Sequence, residues 1–231
     1  MNNKSALRIT GILLLVEAFL IFVPLIVLGT AINWPANLSE PASVNLPLIL
    51  SQAVAVKTGY FVYLIYSVLF WPVAYMTAHV VAGKDELPPM LKIAAGFGVA
   101  SSVARTLGIV RWLSVMPVLA KLYENGTTEA QATISIVFDA FNSYGGTIGE
   151  ALGVGLFAGL WLVLVSIAML RSAEFPKWLG IFGLVAVFAV TLQSLELFGI
   201  DLGALISVLV TVLHLWLMAT GGYLIYVVRN K

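Results

Sequence analysis

The chain contains no cysteine, which excludes disulfides, thiolate metal sites and cysteine nucleophiles. Charge is nearly as scarce. Asp, Glu, Lys and Arg make up 10% of the residues, where a water-soluble domain carries roughly 25%. So few charges cannot cover a water-facing surface, so the outer surface of this chain is expected to face lipid. The formal net charge is +1, which excludes the basic footprint of a nucleic-acid binder. The two histidines, His79 and His214, lie far apart in sequence. HExxH, GxSxG, a glycine-rich nucleotide loop and a paired intramembrane aspartate are all missing. No cofactor, no metal site and no assembled catalytic set is expected.

What the chain does have is apolar sequence, 61% of its residues. A helix needs about 20 mostly apolar residues to cross the hydrocarbon of a bilayer. Six segments meet this: Ile9 to Gly29, Tyr60 to Val81, Met90 to Leu113, Thr147 to Leu170, Trp178 to Phe198 and Leu202 to Val228. The first is too long for the apolar part of a signal peptide and contains Glu17, so it reads as an uncleaved span. The expected fold is an all-α transmembrane bundle of six helices, with residues 1–231 forming a single transmembrane domain in the cell membrane.

Lysine and arginine set the orientation. If the N-terminus is inside, Lys4, Arg8, Lys84, Lys92, Arg171, Lys177, Arg229 and Lys231 fall at inner ends; Lys57, Arg105, Arg111 and Lys121 lie toward the outer side. Both termini are therefore expected to be cytoplasmic. Two outer connections are long enough to fold on their own. Residues 31–59 contain Pro35, Pro41 and Pro47 followed by LPLILSQAVAV, read as a short interfacial or re-entrant helix. Residues 114–146 contain a turn at Glu124-Asn125-Gly126, then ATISIVFDAFNSY with Ile134, Val137, Phe138 and Phe141 at helical spacing. That second helix is expected to be capped by Thr127 and stopped by Gly145-Gly146.

Small residues recur at four-residue spacing: Gly149 and Gly153, Gly155 and Gly159, and Ala94, Gly98 and Ser102. In lipid, helices associate by close packing, so these faces belong in the centre of the bundle or at a homo-oligomer contact. Pro24 and Pro72 are expected to kink the first two spans.

Ionisable residues inside spans are each a site hypothesis with a partner to be named. Arg105, Arg111, Glu150 and Glu196 fall in the outer layer, together with Asp139, Asn142 and Tyr144 from the amphipathic helix and Asp201 from the last outer turn. The expectation is that Glu150 pairs with Arg105 or Arg111, with Asn142 or Tyr144 close by. Arginine suits the role because it stays charged and offers a planar fork to a carboxylate. A deeper pair, Glu17 with His214, is expected from matched depth, as a neutral hydrogen bond or a proton relay. Tyr60, Tyr63, Tyr66 and Tyr75 on the second span either pack or line a cavity.

The stretch ARTLGIVRWL, the helix ending FNSYGG, the span GLFAGLWLVLVSIAML and the connection RSAEFPKWLGIFGL resemble bacterial six-span membrane proteins grouped as a domain of unknown function, number four-three-eight-six. Arg171, Ser172, Pro176 and Gly180, with Tyr144-Gly145, carry the resemblance over the C-terminal two-thirds. The chain departs at Phe157 to Gly159, where such proteins carry paired phenylalanines. The resemblance implies a bacterial inner-membrane protein and supplies no activity. Three readings stay open: a protein that binds or moves a lipid-like or small anionic molecule through an outer-side polar pocket, a structural or regulatory subunit acting through partner helices, and a membrane enzyme.

Overall fold

Proline and glycine set where the apolar runs break. The computed structural model describes residues 3–83, 86–200, 202 and 205–230, and these are helical with no strand among them. Lys84, Asp201 and Lys231, which the sequence assigns to sides of the membrane, lie outside the described residues, as do the side chains of Glu196 and Ser207. The first long helix comes as α1 (Asn3–Leu20) and α2 (Phe22–Ile32). The break falls where Pro24 has no N–H to offer the carbonyl of Leu20. The helix α2 ends at Asn33, which is left-handed with φ 53°. A short 3-10 turn, Ala36–Ser39, leads to α3 (Ala42–Ser51) and then to α4 (Ala53–Ala82). Pro72 lies inside α4 without interrupting it.

After Gly83, itself left-handed, α5 (Pro89–Leu113) begins on a proline and runs into α6 (Val115–Glu124) through a bend at Ser114. Pro117 causes that bend as Pro24 does the first, by withholding a donor from Leu113. Then α7 (Thr128–Gly146) starts at Thr127, whose hydroxyl accepts from the Ala130 N–H at 3.4 Å, the expected cap. A twelve-residue π-helical stretch, Thr147–Ala158, follows and continues as α8 (Gly159–Arg171). The last elements are α9 (Lys177–Thr191), a 3-10 turn over Leu192–Phe198, and α10 (Leu205–Asn230).

Among the described residues, six helices are long and apolar enough to cross a membrane: Lys4–Ile32, Ala53–Ala82, Pro89–Glu124, Thr128–Arg171, Lys177–Leu195 and Val208–Asn230. This is a multi-pass membrane protein. Two details correct the sequence reading of the second long connection. The stretch before Glu124 is itself a helix, α6, and Gly145-Gly146 does not stop α7. Gly146 keeps helical dihedrals, φ −62° and ψ −50°, so the chain passes straight into the π-helical stretch. What the glycines supply there is close approach: a Cβ on Gly145 would meet the Arg111 side chain.

The helices α1 and α10 pack antiparallel, with Gly11 against Gly221, so the start of α1 and the end of α10 lie at one end of the bundle, the end toward the termini. We call the other end distal. The helix α5 lies between α4 and the π-helical stretch. Its small-residue face is used on both sides. Gly98 meets Ala74, and Gly108 meets the backbone of Gly145 and Gly149. One apolar cluster built around Phe70, Trp161 and Trp216 fills the half toward the termini; a second, built around Tyr60, Trp112 and Phe138, fills the distal half.

These contacts generate a paired expectation. A Cβ at Gly108 would lie 2.7 Å from the Gly149 Cα and 2.8 Å from the Gly145 carbonyl, both backbone atoms that cannot rotate away. Gly108→Ala should destabilise the protein by about 1–3 kcal/mol, the usual range for overpacking. Gly96 faces open space within 4 Å, so Gly96→Ala should leave stability unchanged or slightly raised. Thermal unfolding of the purified variants checks both.

Candidate functional site

Serine hydroxyls on α5 bring the helix close to its neighbours and fix the height of Arg105. The Ser102 hydroxyl donates to the Ser67 carbonyl at 2.8 Å, and the Ser101 hydroxyl donates to the Gly153 carbonyl at 2.7 Å. Gly153 lets the Arg105 stem pass, since a Cβ there would sit 2.9 Å from the Arg105 Cγ. The guanidinium then turns toward α4 and α1. Its Cζ lies 4.3 Å from the ring centre of Tyr66 and 4.8 Å from that of Phe70. Its Nη2 is 3.6 Å from Glu17 Oε1, with 5% of the arginine side chain and 0% of the glutamate exposed. Neither carboxylate oxygen of Glu17, nor Nη2 of Arg105, has a hydrogen-bond partner among the described residues.

This corrects the deep pair expected from the sequence. Glu17 lies against Arg105, and His214 bonds Tyr66 instead. The Tyr66 hydroxyl and His214 Nε2 are 3.0 Å apart, and His214 Nδ1 is 2.9 Å from the Val210 carbonyl. A carbonyl can only accept, so Nδ1 carries the proton and the neutral ring accepts at Nε2 from Tyr66. The helices α1 and α10 do pack together. Arg105 wins Glu17 because a buried carboxylate gains more from a full opposite charge than from a neutral imidazole. The result is a line, Glu17–Arg105–Tyr66–His214, drawn from α1, α5, α4 and α10.

Arg111, two turns further along α5, faces the distal cap. Its Nη1 donates to the Gly108 carbonyl at 2.7 Å and its Nη2 to Asn142 Oδ1 at 3.4 Å. Asn142 in turn donates to the Leu38 carbonyl at 2.7 Å, which ties α7 to the turn at Ala36–Ser39. Arg111 also lies 5.4 Å from the Trp112 ring centre, and Trp112 stacks on Tyr60 at 4.8 Å. The arginine side chain is 8% exposed, and its Nε has no hydrogen-bond partner among the described residues.

Arg105 and Arg111 line one cavity of about 20 Å³, with Glu150, Tyr60, Tyr63 and Trp34 among its other walls. That is room for about one water molecule. Glu150 is half-buried here, within electrostatic reach of Arg111. The structure therefore brings Arg105, Arg111 and Glu150 to one cavity, with Asn142 bonded to Arg111 and Arg105 turned toward Glu17. It leaves out two others. Asp139 is exposed, and Tyr144 is 69% exposed on the outside of α7. Both point away because Phe138 and Asn142 occupy the inward face of that helix. Glu196 lies in the 3-10 turn after α9. Its neighbour Ser194 donates to the Ala151 carbonyl at 3.4 Å, and Gln193 is buried.

A family described as Domain of unknown function (DUF4386) matches residues 9–227. The chain belongs to this family. No curated protein and no solved structure matches it. The DUF4386 match runs beyond the C-terminal two-thirds that carried the resemblance. It includes Glu17 on the first span and every residue of the polar layer just described. The connection that resembled the family is ordered by its own polar atoms: the Lys177 ammonium donates to the carbonyls of Leu170 and Ser172, and Ser172 Oγ accepts from the Glu174 N–H.

Sequence reasoning missed Tyr66 as a partner and missed the distance between Glu17 and Arg105. The matched depth shows only once the helix starts are known. At about 1.5 Å per residue, fourteen residues from Asn3 and sixteen from Pro89 put Glu17 and Arg105 at heights of about 21 and 24 Å.

Removing Arg105 leaves a fully buried carboxylate without its cation. Arg105→Ala should lower stability by about 3–5 kcal/mol, the range for a broken buried pair. Glu17→Gln should be milder, because Arg105 keeps the Tyr66 and Phe70 rings and faces the cavity. Unfolding of the two variants in one detergent ranks them; a Glu17→Gln loss equal to that of Arg105→Ala would contradict this reading of the pair.

Proposed function

We propose that this is a cell-membrane protein with both termini on the cytoplasmic side, which binds a small oxyanion group in the cavity between Arg105 and Arg111 from the outer side. The observation that carries the reading is the pair of buried arginines on α5. They line one cavity, and each keeps a guanidinium nitrogen without a hydrogen-bond partner among the described residues. Buried donors of this kind are normally satisfied, so two guanidinium groups on one cavity, each with an unpartnered nitrogen, support a place for an acceptor there, which Arg105 would reach by turning from Glu17. Guanidinium groups match carboxylate, phosphate and sulfate oxygens by geometry and charge.

The orientation draws support from burial. Of the four basic residues assigned outside, Arg105 and Arg111 are buried, which leaves only Lys57 and Lys121 exposed toward that side. The basic bias toward the end with the termini is therefore stronger at the surface than the count of eight to four suggests. The helices α3 and α7 then form an outer cap over the site. At about 20 Å³ the cavity is smaller than a phosphate or sulfate head, so it admits one only when its wall, which includes Trp34 and Tyr63, moves outward. A carboxylate or phosphate on a lipid and a free oxyanion share this chemistry.

Two measurements test the proposal. Reporter fusions at Lys231 and within residues 31–59 should report opposite sides of the membrane; a common side would overturn the orientation. Thermal unfolding of the full chain in phosphatidylcholine nanodiscs should rise saturably with sulfate, or on including phosphatidylglycerol, which separates a free oxyanion from a lipid headgroup. Ligand at about 100 times its Kd should stabilise by about 2.7 kcal/mol. Arg111→Lys should fold and lose the saturable rise, because an ammonium cannot reproduce the fork. No saturable rise with either probe, or a rise that Arg111→Lys retains, would overturn the site.

A further inference from the structure

Arg105 belongs to two arrangements at once. It is the cation beside Glu17 and it is a wall of the cavity. Its contact with Glu17 is long for a charge-assisted hydrogen bond, 3.6 Å against the usual 2.7–2.9 Å. Both Glu17 oxygens are buried and lack a hydrogen-bond partner among the described residues. A carboxylate so placed has little besides this one guanidinium to keep it charged.

We propose that Glu17 is a proton-binding site coupled to the oxyanion cavity: an anion that engages Arg105 draws it from Glu17, and Glu17 takes up one proton from water as the anion binds. The inference rests on the oxyanion reading above and gives it a co-substrate, the proton. Charge balance requires a step of this kind. Arg105 and Arg111 face Glu17 and Glu150 in formal neutrality, so an added anion would leave a net negative charge in a low-dielectric layer. Proton uptake at one carboxylate restores neutrality for a monovalent anion and halves the excess charge of a divalent one such as sulfate.

Glu17 is the carboxylate suited to take it. The groups around it are few. The helix α5 presents Arg105, and α4 presents the Tyr66 and Tyr63 hydroxyls within electrostatic reach. The helix α10 presents His214, which faces Tyr66, and α2 contributes no ionisable side chain. Across the cavity lie Arg111, Glu150 and Tyr60. His214 is a poor acceptor, because protonation at Nε2 would break its bond from Tyr66 and add a cation near Arg105. Glu150 is only half-buried and sits by Arg111, which the anion would join without leaving. Only Glu17 loses its cation when the anion arrives.

The test uses the purified full chain in phosphatidylcholine nanodiscs with sulfate, which carries no titrating proton near neutral pH. A pH-indicator dye in weak buffer should report about one proton taken up per sulfate bound, and affinity should fall by up to about tenfold per pH unit where Glu17 ionises. Glu17→Gln should bind sulfate with no pH dependence, while Glu150→Gln keeps the wild-type slope. The stabilisation by phosphatidylglycerol is read against pH in the same way. Binding without proton uptake, a slope that survives Glu17→Gln, or one lost in Glu150→Gln instead would overturn the coupling and leave the oxyanion site standing. Failure of both probes to bind overturns both. If Glu17→Gln does not fold, the proton count on the unmodified chain decides.

Discussion

An arginine and a glutamate held together near the middle of a membrane-spanning bundle constrain everything around them. Arg105 and Glu17 are both buried, on α5 and α1. Either charge alone at that depth would be strongly unfavourable. The helices must therefore meet at this height and at this rotation. The surrounding sequence makes the meeting possible. Ser101 and Ser102 bond across to neighbouring carbonyls, Gly153 clears the Arg105 stem, and Tyr66 and Phe70 offer ring faces to the guanidinium. Tyr66 then carries the network to His214 on α10, so one polar line touches four of the six long helices.

That line divides the interior. Phe70 on one side of Arg105 belongs to the apolar cluster toward the termini, and Trp112 beside Arg111 belongs to the distal cluster. The cavity lies between the two, and its cap comes from α7 and from the segment between the first two long helices. Asn142 joins Arg111 to the turn at Leu38, and Asn45 on α3 donates to the carbonyls of Asn37 and Glu40. The π-helical stretch runs along the same wall, with Gly149 against Gly108 and Gly153 against Arg105. π-Helical geometry is rare and, as single-turn bulges, frequent at functional sites; this stretch places Glu150 in the cavity wall.

Much of this was legible in the chain. Apolar run length gave six crossing helices, and the spacing of Ala94, Gly98 and Ser102 and of Gly149 and Gly153 marked the packed centre, while Gly108 went unmarked. Thr127 announced the start of α7, and burial of charge singled out Arg105, Arg111, Glu17, Glu150 and His214. Partner choice was not legible, because it depends on helix order and on where a helix begins. The first apolar run reads from Ile9, whereas the helix starts at Asn3, and that offset of nearly two turns made Glu17 look shallower than it is relative to Arg105. The continuity of α7 into the fourth crossing was hidden for another reason. A Gly-Gly pair is a common helix stop in water, but here the two residues stay helical and make room for Arg111. Asp139 and Tyr144 were drawn in by proximity in sequence, and the helical rotation of α7 turns them outward.

The central claim is that Glu17 and Arg105 act as one unit. A double-mutant cycle measures it directly, with Glu17→Gln and Arg105→Gln made singly and together and each unfolded in the same detergent. The double variant should be more stable than the sum of the single losses by at least about 1 kcal/mol, within the range for residues in direct contact. Additivity within about 0.5 kcal/mol would mean the two do not interact and would contradict the account.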